Sequence, residues 1–212
     1  MDFLAQLAGD GRAVEIAIGT GRIALPLAAR GVPVAGMDAS EAMLARLRAK
    51  PGADQIETVL GDIRTTRLPG TFRVAYLVFN TINNLTSQDG QVACFVNAAA
   101  HLEDGGSFVV EVGVPDLRRL PPGQTAVPFR VDPGRLGFDT YDTVTQEMWS
   151  HHYWSGPNGI ESASQPFRYV WPSELDLMAR IAGLQLRERS AGWQREPFTA
   201  ESRSHVSIYE KP

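Results

Sequence analysis

The sequence predicts an α/β protein with a doubly wound, mostly parallel seven-stranded sheet and an antiparallel β insert after the fifth strand. From residue 13 to about 113, short apolar segments alternate with segments of helical periodicity, as in βαβ units. Residues 115–170 instead hold long β-patterned segments, and two further strands are predicted near the end of the chain. Since 212 residues fit one domain, we expect a single domain over 1–212, with the insert at 115–170 inside it.

The elements of the first half follow from apolar runs and their end signals. A short apolar run between glycines is typical of a buried parallel strand, and a helix follows it with Gly31 as its C-terminal cap. The next helix is capped by Ser40 and ended by Pro51. The predicted strands are 13–18, 32–37, 56–60, 74–79 and 107–112, and the predicted helices are 2–8, 23–29, 41–50 and 89–102.

The second half has a different pattern. Residues 116–133 are rich in Pro, Gly and Arg and are expected to be irregular, and β-branched and aromatic residues predict one long or bent strand over 138–154. An Asn-Gly pair within 156–159 indicates a hairpin turn, after which 160–170 forms the partner strand. A helix over 172–182, ended by Gly183, and two strands at 184–189 and 205–209 complete the prediction.

Composition excludes several classes of protein. The chain has 20 basic and 24 acidic residues, and this balance argues against nucleic-acid binding, which needs a basic surface. There is no apolar run long enough to span a membrane and no spacing of ligand residues typical of a metal site. A lone Cys94 forms no internal disulfide and suits a reducing compartment. We therefore expect a cytoplasmic protein acting on a small molecule, with a homodimer as a candidate assembly.

The turn after the first strand is the first candidate binding element. Gly19-Thr20-Gly21-Arg22-Ile23-Ala24 matches the dinucleotide fingerprint, although a tight turn without a ligand has the same pattern. Asp38, at the end of the second strand, suits the ribose of a nicotinamide or an adenosyl cofactor. Glu15, within the first strand, favours a ligand with an ammonium group over a pyrophosphate.

Further polar residues lie where the third and fourth strands end. Gly61-Asp62 follows the third strand, and Asn80 begins the polar run Asn80-Thr81-Ile82-Asn83-Asn84 after the fourth. In doubly wound proteins, ligands bind in the crevice outside the carboxyl ends of the strands. These groups are therefore expected to converge on one site.

Five segments in the correct order resemble the motifs of class I S-adenosylmethionine-dependent methyltransferases. The antiparallel insert with its aromatic residues resembles, more loosely, the inserts of bacterial enzymes that methylate amino sugars and other natural-product intermediates. The match of the five segments covers residues 12–113, and the terminal strand pair also fits. Ala17 departs from the pattern, since the family more often has Gly there, and relatives usually carry an N-terminal helical segment before the first strand. The matching segments are 14–22, 36–44, 61–63, 79–80 and 102–106.

The resemblance implies S-adenosylmethionine as the cofactor and a role for each motif residue. Asp38 would accept both ribose hydroxyls, Asp62 and the Ile63 N–H would bind the adenine edge, and Glu15 with the Asn80 carbonyl would serve the ammonium group. Ala39 and Met43 would pack on adenine, and Arg22 would face the carboxylate. The complete expected set is Glu15, Gly19, Thr20, Gly21, Arg22, Asp38, Ala39, Met43, Gly61, Asp62, Ile63, Phe79 and Asn80.

The insert is the expected acceptor side. By strand alternation Trp149, His151 and Tyr153 share one face, and Met148, His152 and Trp154 share the other. His151 or His152 is a candidate general base because imidazole titrates near neutral pH. Core or interface packing explains the same residues equally well.

The expected catalytic residues are therefore His151, His152 and Tyr141, with Arg168 as a further orienting group. The predicted reaction is in-line transfer of a methyl group from S-adenosylmethionine to a nitrogen or oxygen of a small-molecule acceptor. The alternatives are an NAD-dependent oxidoreductase and a catalytically silent ligand-binding protein that kept the fold.

Overall fold

A computed structural model describes residues 2–117, 120–157 and 159–212. Its larger sheet has seven strands in the order β10-β11-β5-β4-β1-β2-β3, which confirms the predicted doubly wound fold. The five strands β1 to β5 run parallel, and β11 and β10 add an antiparallel edge beside β5. The strands are β1 Ala13–Ile16, β2 Val34–Asp38, β3 Glu57–Leu60, β4 Phe72–Leu77, β5 Leu102–Gly113, β10 Gln185–Ser190 and β11 Ser204–Glu210.

Helices cover both faces of this sheet because both faces are apolar. On one face, Phe95 and Leu175 pack against the strands, and on the other Leu27 and Leu44 do so, all of them fully buried. Burial of this kind contributes about 1.5–3 kcal/mol per large apolar side chain. The helices are α1 Asp2–Ala8, α2 Ala24–Ala28, α3 Glu41–Arg48, α4 Gln88–His101 and α5 Pro172–Ile181.

The order of the strands fixes the place of a ligand site. The chain adds β2 and β3 on one side of β1 and then β4 and β5 on the other side, so the winding direction reverses between β1 and β4. A crevice opens at the carboxyl ends of the strands at such a reversal. A short 3-10 helix, Thr81–Asn84, follows β4 at this edge.

The insert forms a separate four-stranded antiparallel sheet in the order β6-β7-β8-β9. The prediction of one strand over 138–154 is wrong, since β7 and β8 are two strands joined by a turn, and the segment predicted as irregular contains β6. Asp142 makes the turn, accepting hydrogen bonds from the N–H groups of Val144 (2.8 Å) and Thr145 (3.1 Å). The four strands are β6 Ala126–Asp132, β7 Arg135–Tyr141, β8 Glu147–Gly156 and β9 Gly159–Arg168.

The hairpin between β8 and β9 agrees with the predicted turn as far as it is described. Gly156 pairs with Gly159 at the end of the ladder. Asn158, on which the Asn-Gly signal rests, lies outside the described residues. Arg168, at the other end of β9, carries the connection from the insert to α5.

Candidate active site

Two clefts meet at the carboxyl ends of the parallel strands. The first, here called the strand-end cleft, has a volume of about 470 Å³. The loops after β1, β2, β3 and β4 form it. The segments after β2, β3 and β4 are three that the sequence placed at a common site, and they come together here. Its lining residues are Ala17, Asp38, Ala39, Asp62, Ile63, Arg64, Thr81, Asn84, Leu85, Thr86, Ser87 and Gly90.

Asp38 is fixed at this cleft by backbone donors. One carboxylate oxygen accepts from the Gly19 N–H at 2.7 Å, and the other accepts from the Ser40 N–H at 2.8 Å. Each oxygen retains acceptor capacity for a further donor. Gly19 has φ 56°, and no atom lies within 4 Å of where its Cβ would be, so the loop leaves room for a ligand beside this carboxylate. The arrangement fits a molecule that presents two neighbouring hydroxyls.

Glu15 lies beneath the same loop and is buried. Its carboxyl accepts hydrogen bonds from the Tyr76 hydroxyl and from the Ala24 N–H, both at 3.1 Å. Burial raises the pKa of Glu15 to about 8, although the two hydrogen bonds act to lower that pKa. The side chain therefore holds the first turn of α2 in place and is mostly protonated at neutral pH.

Three of the loop residues have packing roles that the sequence did not reveal. A Cβ at Gly61 would lie 2.0 Å from the Thr66 Oγ1, and a Cβ at Gly21 would lie 2.9 Å from the Leu47 side chain. The carbonyl of Thr20 accepts from the Lys50 ammonium at 2.7 Å. Close packing alone therefore explains why residues 61 and 21 are glycines.

Asp62 and Arg22 each have a protein partner in this structure. The Arg64 guanidinium binds the Asp62 carboxylate through Nε at 3.0 Å and Nη2 at 2.5 Å, and these hydrogen bonds lower the pKa of Asp62. The Arg22 guanidinium lies 4.3 Å from the centre of the Phe79 ring. An adenine contact from Asp62 therefore has to share that carboxylate with Arg64.

The end of β4 carries backbone strain. Phe79 (φ 61°) and Asn80 (φ 60°) are both left-handed, a conformation that is costly outside glycine and concentrates at functional sites. Two hydrogen bonds to β5 hold this strained conformation. The Glu111 carboxylate accepts a hydrogen bond from the Phe79 N–H at 3.0 Å, and the Asn80 Oδ1 accepts one from the Gly113 N–H at 2.6 Å. The sequence did not single out Glu111, because its role depends on β5 lying beside β4.

The second cleft, here called the insert cleft, has a volume of about 770 Å³. It lies between the end of β4 and one face of the four-stranded sheet. Its walls are largely aromatic, and a few polar groups face it. The lining residues are Phe79, Asn80, Asn83, Gly113, Val114, Pro115, Asp116, Phe129, Asp139, Tyr141, Met148, Ser150, His152, Phe167 and Tyr169.

Asp139, Tyr141 and His152 form a polar cluster in the insert cleft. Asp139 lies near the Ser150 and Tyr141 hydroxyls, and partial burial raises the pKa of its carboxyl. The Ser150 Oγ itself lies 3.2 Å from the His152 Nε2. Burial, with the charges of Asp139 and Asp116, raises the pKa of Tyr141 to about 12, so the phenol stays protonated and donates. The His152 ring lies 5.2 Å from the Phe129 ring. Sequence reasoning identified Tyr141 and His152 but missed Asp139.

The structure contradicts an acceptor contact from His151. Consecutive residues of a strand point to opposite faces, and His152 is the one that lines the insert cleft. His151 lies on the outer face, where it hydrogen-bonds to Thr140 (3.2 Å) and Ser164 (2.8 Å) and packs on the Phe138 ring. The two imidazoles therefore belong to different environments.

The orienting role expected for Arg168 is also wrong. Its side chain is buried and forms an ion pair with Glu174 at 2.7 Å. It also donates to Gln91 at 2.5 Å and to Gln146 at 3.1 Å. All of these partners belong to the protein, so Arg168 joins β9 to α4 and α5 instead of facing a substrate.

Comparison with known proteins identifies the family to which the chain belongs. A family described as methyltransferase domain matches residues 13–106. The structure of the CcbJ methyltransferase from Streptomyces caelestis superposes with a TM-score of 0.87 and 38% identity, covering 99% of this chain and 86% of that one. The chain belongs to the class I S-adenosylmethionine-dependent methyltransferases.

Other relatives agree. The cypemycin N-terminal methyltransferase of a Streptomyces species is 29% identical over 206 residues, which is 95% of this chain and 84% of that protein. The fold is shared with S-adenosylmethionine-bound CalS10, an amino pentose methyltransferase from Micromonospora echinaspora (TM-score 0.73, 24% identity, covering 100% of this chain and 87% of that one). The methyltransferase therefore uses S-adenosylmethionine, and the oxidoreductase alternative is not favoured.

Within residues 2–117, 120–157 and 159–212, no helix is long and apolar enough to cross a membrane. The same residues contain no group of three or more His, Cys, Asp or Glu that could hold a metal ion.

Proposed function

We propose that this methyltransferase transfers the methyl group to an amino nitrogen of its small-molecule acceptor, bound in the insert cleft. The observation that carries the proposal is the Asp139–Tyr141–His152 cluster among aromatic walls. A carboxylate beside aromatic rings attracts a cationic amine through charge and cation–π interactions. The name of the cypemycin N-terminal methyltransferase, which likewise specifies a nitrogen acceptor, supports the same choice.

The strand-end cleft is proposed to hold the cofactor. Asp38 has acceptor capacity for two ribose hydroxyls, while Ala39 and Ile63 line the same cleft as the expected adenine contacts. Thr81 and Asn84 line this cleft while Asn80 and Asn83 line the other, so the two ligands meet at the 3-10 helix. When bound, S-adenosylmethionine supplies an electrophilic methyl group on a sulfonium sulfur.

The chain's own contribution is to bind the amine, remove its proton and aim its lone pair. An aliphatic amine is protonated at neutral pH and becomes a nucleophile only after it loses that proton. Asp139 is suited to take it, because burial makes its carboxylate more basic. His152 lines the same cleft, with its Nε2 3.2 Å from the Ser150 Oγ, and is proposed to pass the proton to solvent.

The transfer itself then needs little covalent help. The nitrogen lone pair forms the new N–C bond while the S–C bond breaks, and the sulfur keeps that electron pair. Holding the two reactants in line supplies most of the rate enhancement, up to roughly 7–11 kcal/mol in well-oriented systems.

A labelling experiment tests the proposal. The enzyme is incubated with S-adenosylmethionine carrying a trideuterated methyl group and with trialanine, glucosamine or benzyl alcohol, and the labelled atom is located by mass spectrometry. Label on nitrogen of at least one amine, lost in Asp139→Asn, supports the proposal. Label on oxygen alone, or no transfer to either amine, contradicts it.

Three earlier expectations remain proposals. The location in a reducing cytoplasm is supported by Cys94, a fully buried cysteine with no second cysteine in the sequence to pair with. A homodimer and the assignment of the whole chain to one domain are carried forward as predictions for solution measurements.

A further inference from the structure

One residue of β5 holds both members of the strained pair that follows β4. The parallel ladder between the two strands ends at Leu77 and Val110, and Phe79 and Asn80 then adopt left-handed backbone. The Glu111 carboxylate accepts from the Phe79 N–H at 3.0 Å, and the Glu111 carbonyl accepts from the Asn80 N–H at 3.2 Å. Such backbone persists outside glycine only where its surroundings impose it. Glu111 therefore imposes this conformation through its side chain and its main chain.

The second oxygen of the Glu111 carboxylate also has a donor. Its Oε1 accepts from the Trp193 indole N–H at 2.9 Å. Trp193 lies in the loop between β10 and β11, and its ring packs edge-to-face on Phe3 of α1, with the ring centres 5.5 Å apart. A carboxylate offers one oxygen to each of two N–H donors, whereas an amide of the same shape would turn its own NH₂ group toward one of them. Trp193 thus orients the carboxylate that holds the end of β4.

Two groups suited to the amino-acid end of S-adenosylmethionine depend on the strained pair. The Asn80 carbonyl accepts the Asn83 N–H at 2.9 Å and keeps a second lone pair for a donor such as an ammonium group. The Arg22 guanidinium lies 4.3 Å from the centre of the Phe79 ring and forms no ion pair within the described part of the chain, so it remains open to a carboxylate. A shift of the Phe79 and Asn80 backbone would displace both groups together.

We propose that Glu111 and Trp193 are positioning residues, which hold Phe79 and Asn80 in the conformation that binds the amino-acid end of S-adenosylmethionine. Neither positioning residue is among those that line the two clefts, so both act through the backbone at the end of β4. The inference rests on the proposed function only in placing the cofactor in the strand-end cleft. It is independent of which acceptor atom receives the methyl group.

Calorimetry with two ligands tests the proposal. S-adenosylhomocysteine carries the amino-acid end, and 5′-methylthioadenosine keeps the adenosine and the sulfur but lacks that end. Glu111→Leu should weaken binding of S-adenosylhomocysteine by about tenfold, the value of one good hydrogen bond, and should leave binding of 5′-methylthioadenosine unchanged. Equal weakening of both ligands would assign Glu111 a general structural role and overturn the inference, as would no weakening of either.

Trp193→Phe is a milder variant for the case that Glu111→Leu does not fold. It removes the indole N–H but keeps a ring against Phe3. S-adenosylhomocysteine should bind about threefold more weakly, because the other Glu111 oxygen still holds β4, and 5′-methylthioadenosine should bind as before. Trp149→Phe is the matched control, since the Trp149 N–H donates to the exposed Glu147 at 3.0 Å, outside both clefts. Wild-type binding by the Trp193 variant, or equal weakening by the control, contradicts the role of Trp193.

A conservative pair of substitutions separates hydrogen bonding from packing. Glu111→Gln keeps one acceptor oxygen but turns an NH₂ group toward the second donor, which should weaken binding of S-adenosylhomocysteine. Trp193→Phe removes that donor, so the double variant should bind at least as tightly as Glu111→Gln alone. Residues in one hydrogen-bond network show such non-additive effects. Additive losses would contradict a direct coupling between Glu111 and Trp193.

Asp38→Ala reports on the cofactor site separately from this inference. It should weaken both ligands, since both carry the ribose. If it does so while Glu111→Leu weakens neither ligand, the inference fails and the cofactor site stands. If Asp38→Ala leaves both affinities unchanged, the placement of the cofactor fails and the inference fails with it. The acceptor takes no part in these titrations, so failure of nitrogen methylation leaves their outcome unaffected.

Discussion

The Asp38 carboxylate accepts the Gly19 N–H at 2.7 Å, which ties the end of β2 to the glycine loop after β1. One carboxylate thus shapes the loop and faces the strand-end cleft. A charged hydrogen-bond acceptor of this kind typically contributes about 1.5–3 kcal/mol.

The first prediction concerns this residue. Asp38→Ala should weaken binding of S-adenosylhomocysteine by about 10- to 100-fold in calorimetry, since both the ribose contacts and the loop anchor are lost. Asp62→Ala should weaken it less, because Asp62 already shares its charge with Arg64. Asp104→Ala, at an exposed carboxylate distant from both clefts, is the control and should bind as the wild type does. Stronger weakening by Asp62→Ala would reverse the ranking of the two acids.

The second prediction follows from the pKa of Glu15, which rises from an ordinary 4.5 to about 8 in the folded chain. Between these values the unfolded chain releases a proton that the folded chain keeps, so the free energy of unfolding falls as pH rises. The slope from one group is at most about 1.4 kcal/mol per pH unit. Below pH 4.5 both states hold the proton, and above about 8 neither does, so the contribution is then constant.

Glu15→Gln isolates this effect because it keeps a hydrogen-bond acceptor but does not titrate. Chemical denaturation at pH 5 and pH 8.5 should show the wild type losing stability relative to the variant as pH rises. Parallel stability curves for the two proteins would show that Glu15 is ionised throughout.

The third prediction separates the two histidines of β8. His152→Ala should lower turnover by about 100-fold, the usual contribution of a general acid–base group, and should leave S-adenosylhomocysteine affinity unchanged. His151→Ala should keep normal turnover, since that ring lies on the outer face with Thr140 and Ser164. Loss of turnover in the His151 variant without loss of stability would contradict the placement.

The fourth prediction concerns the junction between the insert and the parallel sheet. Arg168→Met should destabilise the protein by about 3–5 kcal/mol, because it leaves Glu174 partly buried without its ion-pair partner. Arg187→Met breaks a pair with Glu210 that is exposed, so its effect should stay below about 1 kcal/mol. Equal unfolding temperatures for the two variants would show that the buried network contributes nothing.

Much of the parallel sheet could be predicted because its signals are local. The predicted β2 ends next to Asp38, and the predicted Ser40 cap accepts from the Met43 N–H at 3.3 Å. Apolar runs bounded by glycines and capping residues specify such elements without knowledge of their neighbours.

The insert was harder to predict because its turns resemble strands. Thr143, Val144 and Thr145 are β-branched, yet the Asp142 side chain folds them into a turn, and Gln146 then adopts φ 61°. A side-chain hydrogen bond outweighs β-propensity here, since the exposed Val144 gains little from a strand.

The candidate site also has a part that the sequence predicts and a part that it does not. The residues of the strand-end cleft follow strand ends and could be located from motifs, whereas Asp139 and Glu111 come near the end of β4 only through the packing of the insert and of β5. Their roles depend on contacts between distant segments, for which one sequence holds no local signal.

The alternation of side chains along β8 has a practical consequence for engineering. Met148, Ser150 and His152 face the insert cleft, while the residues between them face away. A mutant library restricted to Met148 and to Phe167 on β9 would reshape the acceptor space and keep His152, without touching the outer surface of the sheet or the strand-end cleft. Substrate scope could then be redirected on a scaffold whose use of S-adenosylmethionine stays intact.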